Sequence, residues 1–258
     1  MSENLPIPKP KKPKMARALG VTEFLNKKFL ELEFTGKWKD AFGNPERNFK
    51  MIVFGKRKNG KTEFVVSFVK FMTTFGRVLY NSFEQGHSRS LQCAYMRQDM
   101  KDVSGKVVTT HKEPFESMYY RLKQKKSPQI VVIDSVQHIK MTKDQWQQLV
   151  TDFPKKAFIA ISHAQGDDPK GEVADFIGYD VDISVLVKGF KAYCQGRYGG
   201  GDEIVIWEKG HADYLRRNSK TKPKEPTPPT PDLFTIQSTD VPTVPTVPKD
   251  SAPEIPNS

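Results

Sequence analysis

A glycine-bounded segment in the first third of the chain contains residue types that bind phosphate. Residues 51–64 read MIVFGKRKNGKTEF, in which Gly55 and Gly60 bracket four residues and Lys61 and Thr62 follow directly. This spacing satisfies the phosphate-binding loop (Walker A) pattern. A lysine at this position reaches the β- and γ-phosphates of a nucleotide, and the threonine hydroxyl is a ligand for Mg²⁺. We therefore predict that the loop binds ATP together with Mg²⁺.

The sequence on either side of the loop predicts the elements that must position it. Apolar residues at 49–54 predict a strand that enters the loop, and the apolar spacing at 61–75 predicts an amphipathic helix that leaves it. Backbone N–H groups and the helix N-terminus then converge on one anion. A solvated, lysine-rich turn ahead of a helix is the alternative interpretation. The predicted nucleotide contacts are Gly55, Lys56, Arg57, Lys58, Asn59, Gly60, Lys61, Thr62 and Glu63.

Two acidic residues follow other predicted strands. Asp134 ends the apolar segment at 129–133 and is the predicted partner of Thr62 in binding Mg²⁺. Glu84 follows the predicted strand at 77–82, which we expect close to the strand at 49–54, so that its side chain emerges at the same carboxyl edge as the loop. It is the candidate to orient and deprotonate the attacking water. A turn-capping role for Asp134 and a merely solvated Glu84 are the alternatives.

Further polar residues end the predicted strand at 157–162. His163 and Gln165 lie where a γ-phosphate could be sensed, so both are predicted nucleotide contacts. A loop histidine or glutamine with no such role is the alternative.

The positions of these residues require a sheet whose strands end at a common edge. Short apolar segments at 49–54, 77–82, 105–109, 129–133 and 157–162 alternate with stretches of helical periodicity, which is typical of a mostly parallel sheet flanked by helices. Three more short strands joined by glycine turns are predicted between residues 182 and 207, as an antiparallel C-terminal extension. The predicted fold class is therefore α/β.

Composition divides the chain into a core and two polar ends. Residues 1–18 are predicted to be a disordered basic arm and residues 216–258 a disordered Pro/Thr-rich tail, which leaves residues 19–215 as the ATPase domain. The chain of 258 residues has a net charge of +11, which favours a polyanionic partner such as nucleic acid.

The lengths of the apolar segments indicate the cellular location, and the spacing of the two cysteines indicates whether to expect a zinc site or a disulfide. No apolar stretch approaches the roughly 20 residues that cross a bilayer, and no secretory signal pattern opens the sequence, so we expect a soluble, cytoplasmic protein with no membrane partner. Cys93 and Cys194 are far apart and lack neighbouring ligands, so neither zinc nor a disulfide is predicted.

The core resembles the RecA-like ATPases, in particular the branch that holds replicative hexameric helicases of the DnaB type, RadA and KaiC. The resemblance covers roughly residues 35–208, and its segments are GKRKNGKT, VLYNSFEQG, IVVIDS, FIAISHAQ and DVDISVLVKGFKAYCQGRYGG. It implies a RecA-like fold and ATP hydrolysis with Mg²⁺. It also implies that Glu84 is the catalytic carboxylate and that Asp134 holds the metal.

The same resemblance implies a homo-oligomer, a ring or a filament. In the DnaB-like branch a lysine and an arginine reach the neighbouring subunit's nucleotide, and the matching residues here are Gln195 and Arg197. Arg197 is thus the candidate to act in trans, although the lysine is absent and a turn residue ahead of Gly199 is the alternative. Small proteins of this design resemble stand-alone recombination or replication ATPases of bacteriophages and mobile elements, for which the location would be the host cytoplasm.

The predicted function is that of an ATPase acting on DNA, with single-stranded DNA as the expected partner. Single-strand binding combines cationic side chains with stacking aromatics, for which Tyr179, Phe190, Tyr193 and Tyr198 are candidates, with core packing as the alternative role for most of them. One alternative is a nucleotide-switched regulatory or assembly protein whose tails bind a protein partner. A small-molecule kinase is the second, and the arginine-bearing lid of such an enzyme is not evident in the sequence.

Overall fold

The central sheet of the computed structural model, which describes residues 17–219, has nine strands within that range. They are β1 Lys50–Gly55, β2 Val78–Ser82, β3 Val107–His111, β4 Ile130–Asp134, β5 Ala157–Gln165, β6 Asp168–Pro169, β7 Ile183–Lys188, β8 Lys191–Gly196 and β9 Ile204–Val205.

The strand order explains which residues meet at the edge of the sheet. The order is β3-β2-β4-β5-β1-β7-β8-β9, with β6 paired to β5. The pairs from β3 through β7 are parallel, whereas β8 and β9 continue the sheet in antiparallel pairing. The predicted α/β class, with a mostly parallel sheet and an antiparallel C-terminal part, is confirmed. One expectation needs correction: β1 and β2 are not close neighbours, because β4 and β5 lie between them.

Helices cover both faces of the sheet. They are α1 Val21–Leu25, α2 Lys37–Phe42, α3 Lys61–Met72, α4 Arg89–Arg97, α5 Phe115–Leu122, α6 Lys143–Asp152, α7 Glu172–Asp180 and α8 Glu208–Ser219, with a short 3-10 helix at Met100–Val103. Successive side chains of β1 point to opposite faces, so Met51 and Val53 join one buried cluster while Ile52 and Phe54 join the other. The first cluster contains residues of α2, α3 and α4, and the second contains residues of α5, α6 and α7.

An aromatic cluster fixes the helix that follows the predicted phosphate loop. Trp38 of α2 lies 4.9 Å from Phe68 of α3 between ring centroids, and Phe34 lies 6.0 Å from Phe68. Phe68 is fully buried. Burial of one such side chain contributes on the order of 2–3 kcal/mol, so the cluster anchors α3 firmly to the sheet.

Several element boundaries differ from the sequence-based prediction: the strands predicted at 49–54, 77–82 and 129–133 each begin one residue later, and the strand predicted at 157–162 continues to Gln165. Helix α3 ends at Met72 rather than residue 75, because Thr74 N–H and Phe75 N–H donate to carbonyls three residues back and tighten the chain into a turn. Strand β3 starts at Val107 instead of 105, because Gly105 adopts a positive φ of 80° in the preceding turn. Strand β9 has two residues.

Most of the predicted arm and tail lies outside the described residues. Residues 216–219, which the sequence assigns to the tail, belong instead to helix α8. Among the helices of residues 17–219, none is both long enough and apolar enough to pass through a bilayer.

Candidate functional site

The predicted phosphate loop joins β1 to α3 at the carboxyl edge of the sheet. Gly60 has a left-handed backbone with φ of 99°, and Lys58 has φ of 62°. Within residues 17–219, the amides of Gly60, Lys61 and Thr62 donate no backbone hydrogen bond to another residue. These N–H groups, at the start of a twelve-residue helix, form the kind of concave cationic site that binds an anion.

The two loop glycines serve different purposes. A Cβ on Gly55 would stand 2.2 Å from the carbonyl oxygen of Val187, so Gly55 is required for the close approach of β7. Gly60 is required for its positive φ, and a Cβ there would also press on Phe190 at 3.2 Å. The sequence predicts both glycines as phosphate contacts; the structure gives Gly55 a packing role within the sheet, and its contact with phosphate stays a prediction.

The ammonium group of Lys61 lies beside the first residues of the loop. Its Nζ donates to the carbonyl oxygens of Gly55 at 2.7 Å and Lys56 at 3.1 Å. Burial lowers the pKa of Lys61, while the negative charges of Glu84 and Asp134 act in the opposite direction. The cation therefore faces both acidic residues of the site.

The turn between β7 and β8 braces the loop through hydrogen bonds to Asn59. The side-chain oxygen of Asn59 accepts a hydrogen bond from Gly189 N–H at 2.7 Å, and its amide donates to the carbonyl of Arg57 at 3.0 Å. Phe190 N–H donates to the carbonyl oxygen of Asn59 at 3.1 Å. The sequence predicts Asn59 as a nucleotide contact, and the structure shows its side chain positioning the loop.

Asp134 ends β4 and is almost fully buried. Its Oδ2 accepts a hydrogen bond from the hydroxyl of Tyr80 at 3.0 Å. Burial raises the pKa of Asp134 to about 7; the bond from Tyr80 and the charge of Lys61 oppose this shift, and the charge of Glu84 adds to it. A buried carboxylate of this kind fits a divalent cation, because the cation would compensate the cost of burying its charge.

The backbone of Asp134 also fixes the position of Glu84. Ser82 pairs with Asp134 across β2 and β4, and beyond this pair Phe83 N–H and Glu84 N–H both donate to the carbonyl oxygen of Asp134, at 2.6 and 2.8 Å. Both acidic residues therefore emerge together although they are distant in sequence.

The loop and both carboxylates line one cavity of about 530 Å³. Strand β5 separates β1 from β4, so the loop and Asp134 stand roughly two strand spacings apart, about 9.5 Å, which leaves room for a phosphate and a metal ion. The lining residues are Arg57, Lys58, Gly60, Lys61, Thr62, Glu63, Glu84, Gln85, Ser90, Asp134, His138 and Ile161.

Several residues of this site were not identified from the sequence. Gln85 donates from Nε2 to Thr62 Oγ1 at 3.1 Å and accepts from Ser90 at 2.7 Å, so it orients the threonine hydroxyl. Gln85 follows Glu84 directly and Tyr80 is a buried polar residue in an apolar strand, which are weak signals that could have found them. No signal in the sequence points to Ser90 or His138.

Of the sequence-predicted residues, Gln165 and Arg197 lie away from the cavity, and Lys56 and Asn59 line a separate one. Gln165 is exposed in the hairpin of β5 and β6, where it pairs with Asp168. Arg197 follows β8 at the opposite edge of the sheet, with its guanidinium 3.4 Å from Asp182. Strand β1 separates the two edges by about 17 Å, so Arg197 does not act on the site of its own chain. Action in trans stays a prediction.

Among the other sequence-predicted contacts, Glu63 lines the cavity and accepts a hydrogen bond from Arg97 Nε at 2.9 Å. His163 lies near the end of β5, with its Nε2 3.5 Å from Glu84 Oε2. Burial, the largest influence, lowers the pKa of His163. The structure therefore brings His163 to the catalytic candidate and leaves Gln165 away from it.

No protein-family model matches the chain, and none of the curated proteins matches it.

Proposed function

We propose that the protein is a Mg²⁺-dependent ATPase of the RecA-like kind that acts on DNA, with single-stranded DNA as its preferred form. The observation that carries this proposal is the single cavity in which the glycine-bounded loop, Asp134 and Glu84 converge. A triphosphate needs anion-binding amides, a metal ligand and a group that activates water, and this cavity offers all three.

Each residue has a defined task in the proposed hydrolysis. The amides of the loop and Lys61 bind the β- and γ-phosphates, while Thr62 and Asp134 are the residues that would hold Mg²⁺. When bound, Mg²⁺ supplies positive charge that offsets the charge developing on the phosphate oxygens. Glu84 accepts a proton from water as the water oxygen attacks the γ-phosphorus; the bond to the bridging oxygen breaks, and ADP and phosphate leave.

The DNA part of the proposal rests on charge. After subtraction of residues 1–18 and 216–258, about half of the net charge of +11 remains on the core, and cationic side chains bind nucleic acid by releasing counterions. Of the four aromatic candidates, Tyr179 on α7 is 82% exposed and can stack on a base. Phe190 instead packs edge-on against Trp207, at 5.1 Å between ring centroids.

A regulatory or assembly ATPase with a protein partner is the second candidate, and one observation favours it. The segment at 19–30 exposes large apolar side chains, of which Val21, Leu25 and Leu30 are more than 70% exposed. Contiguous exposed apolar side chains are typical of a surface that binds protein, which nucleic acid would not require.

Nucleotide binding and turnover in Lys61→Ala test the ATPase proposal. We expect ATP hydrolysis by the wild type in Mg²⁺ and its loss in Lys61→Ala, because the phosphates lose their cationic contact. Lys70→Ala is the matched control, since it removes the same charge from the far end of the same helix, where Lys70 pairs with Asp102. Equal hydrolysis by both variants would refute the site.

A second comparison separates the two candidate functions. Hydrolysis is measured with and without single-stranded DNA at increasing salt concentration. The DNA-acting enzyme should be stimulated, with a salt dependence typical of phosphate contacts. Hydrolysis that DNA does not change, without salt-sensitive DNA binding, would favour the regulatory ATPase.

A further inference from the structure

Two imidazole rings and one carboxylate converge beside the proposed nucleotide site. Glu84 Oε2 lies 3.5 Å from His138 Nδ1 and 3.5 Å from His163 Nε2. The three ligand atoms lie within 4.8 Å of one another, and all three side chains are partly buried. They come from three segments, after β2, after β4 and within β5, so the fold itself assembles the cluster.

The distances in this cluster fit a metal ion better than hydrogen bonds. A hydrogen bond from nitrogen to oxygen spans about 2.7–3.2 Å, which is shorter than either contact. Ligand atoms about 2.1 Å from a tetrahedral zinc ion stand roughly 3.4 Å apart, close to the 3.5 Å that each imidazole nitrogen keeps from Glu84. For three ligands to share one tetrahedral ion, the two imidazole nitrogens, which lie within 4.8 Å of each other, need to stand about 3.4 Å apart.

The segments that carry the histidines are held in place independently. The carbonyl oxygen of His163 accepts hydrogen bonds from Lys170 N–H at 2.8 Å and the Ser162 hydroxyl at 2.9 Å. On the other segment, Val136 N–H donates to the carbonyl of Ile161 at 3.0 Å. A prearranged backbone lowers the ordering cost of binding an ion.

We propose that Glu84, His138 and His163 bind a divalent transition-metal ion of the zinc class, and that this ion inhibits ATP hydrolysis. Nitrogen donors select zinc-like ions over Mg²⁺, which prefers oxygen donors such as Thr62 and Asp134. Coordination through His138 Nδ1 replaces its hydrogen bond with Ser135, 2.8 Å in length. The inhibition rests on the proposed function, because a metal-bound Glu84 can no longer accept a proton from water.

Metal binding is tested directly on untagged protein. Co²⁺ absorption spectroscopy and calorimetric titration with Zn²⁺ should show one ion per chain. Because each substitution deletes a ligand, affinity should fall by more than about 100-fold in His138→Asn and His163→Asn. His87→Asn is the control, since His87 contacts Thr109 and His111 away from the cluster.

Glu84→Gln, whose side chain is nearly unchanged in shape, should also weaken metal binding. Circular dichroism verifies that each variant is folded. Wild-type affinity in all three ligand variants would overturn the site.

Inhibition is measured separately, with Mg²⁺ and ATP in excess and free Zn²⁺ buffered. Zinc should slow hydrolysis by the wild type and by His87→Asn at concentrations that leave His138→Asn and His163→Asn unaffected, each compared with its own zinc-free rate. Equal zinc sensitivity in all proteins would overturn the inhibitory role. Failure of the wild type to hydrolyse ATP would refute the proposed function, whereas the metal titrations would still decide the metal site.

Discussion

The loop side and the acidic side of the candidate site are built in different ways. The loop is one continuous segment, shaped by left-handed backbone at Lys58 and Gly60 and braced through Asn59. The acidic side joins two residues distant in sequence, because the carbonyl of Asp134 accepts the amide of Glu84. The loop therefore depends on local backbone conformation, whereas the acidic side depends on the register of a buried parallel sheet.

This difference separates the expected consequences of mutation. A change on the loop side should weaken nucleotide binding, because the loop amides lose their common orientation. A change on the acidic side should lower turnover when it removes Glu84, the proposed base, and should lower stability when it removes a buried hydrogen-bond partner of Asp134. Variants from both sides can therefore show whether the two sides act as independent parts.

Glu84→Gln should give the largest effect. The amide keeps the shape of the side chain but cannot accept a proton, so turnover should fall by about 10²–10⁴-fold while ATP remains bound. Steady-state hydrolysis and nucleotide binding are measured on the same preparation. Glu116→Gln, an exposed change at the start of α5, is the control. Wild-type turnover in Glu84→Gln would show that another group activates the water.

The difference between local backbone conformation and sheet register also decides which features the sequence could predict. The loop was identified because its glycines, Lys61 and Thr62 lie within one short segment with fixed spacing. The strand of Asp134 was identified because four consecutive apolar β-formers precede it. In both cases the signal is local, and hydrophobic periodicity is sufficient to predict the strand and the helix beside the loop.

The contacts between segments could not be predicted. Gly189, which braces Asn59, is 130 residues further along the chain, and periodicity does not specify such a partner. His138 approaches Glu84 only because β4 lies next to β2, a pairing that propensity does not encode. The predicted proximity of β1 and β2 was wrong for the same reason, since an apolar strand fits several places in a parallel sheet.

Tyr80→Phe should have the second-largest effect, on stability. Burial, the first cause, raises the pKa of the Tyr80 hydroxyl well above its usual value, so it remains a hydrogen-bond donor to Asp134. Above the Asp134 pKa of about 7, where the carboxyl is charged, loss of this bond should lower the free energy of unfolding by about 2 kcal/mol, the value of a hydrogen bond to a charged group. Urea unfolding without nucleotide measures it.

Tyr95→Phe is the matched control for this variant. Its hydroxyl bonds to the neutral Thr109 hydroxyl at 2.8 Å, so the loss should be nearer 1 kcal/mol. Equal losses in both tyrosine variants would mean that the hydrogen bond from Tyr80 to Asp134 stabilises the fold no more than a hydrogen bond between two neutral hydroxyl groups.

Asn59→Ala should have the smallest effect, confined to the loop side. It removes the acceptor for Gly189 N–H and the donor to the carbonyl of Arg57, so the affinity for ATP should fall about tenfold, or roughly 1.4 kcal/mol. The turnover of saturated enzyme should change far less, because Glu84 and Asp134 keep their positions. Asn59→Asp retains the acceptor and should recover part of the affinity, whereas the exposed Asn48→Ala should bind ATP normally. If Asn59→Ala instead reduced turnover and left affinity intact, the loop and the acidic side would be coupled rather than independent.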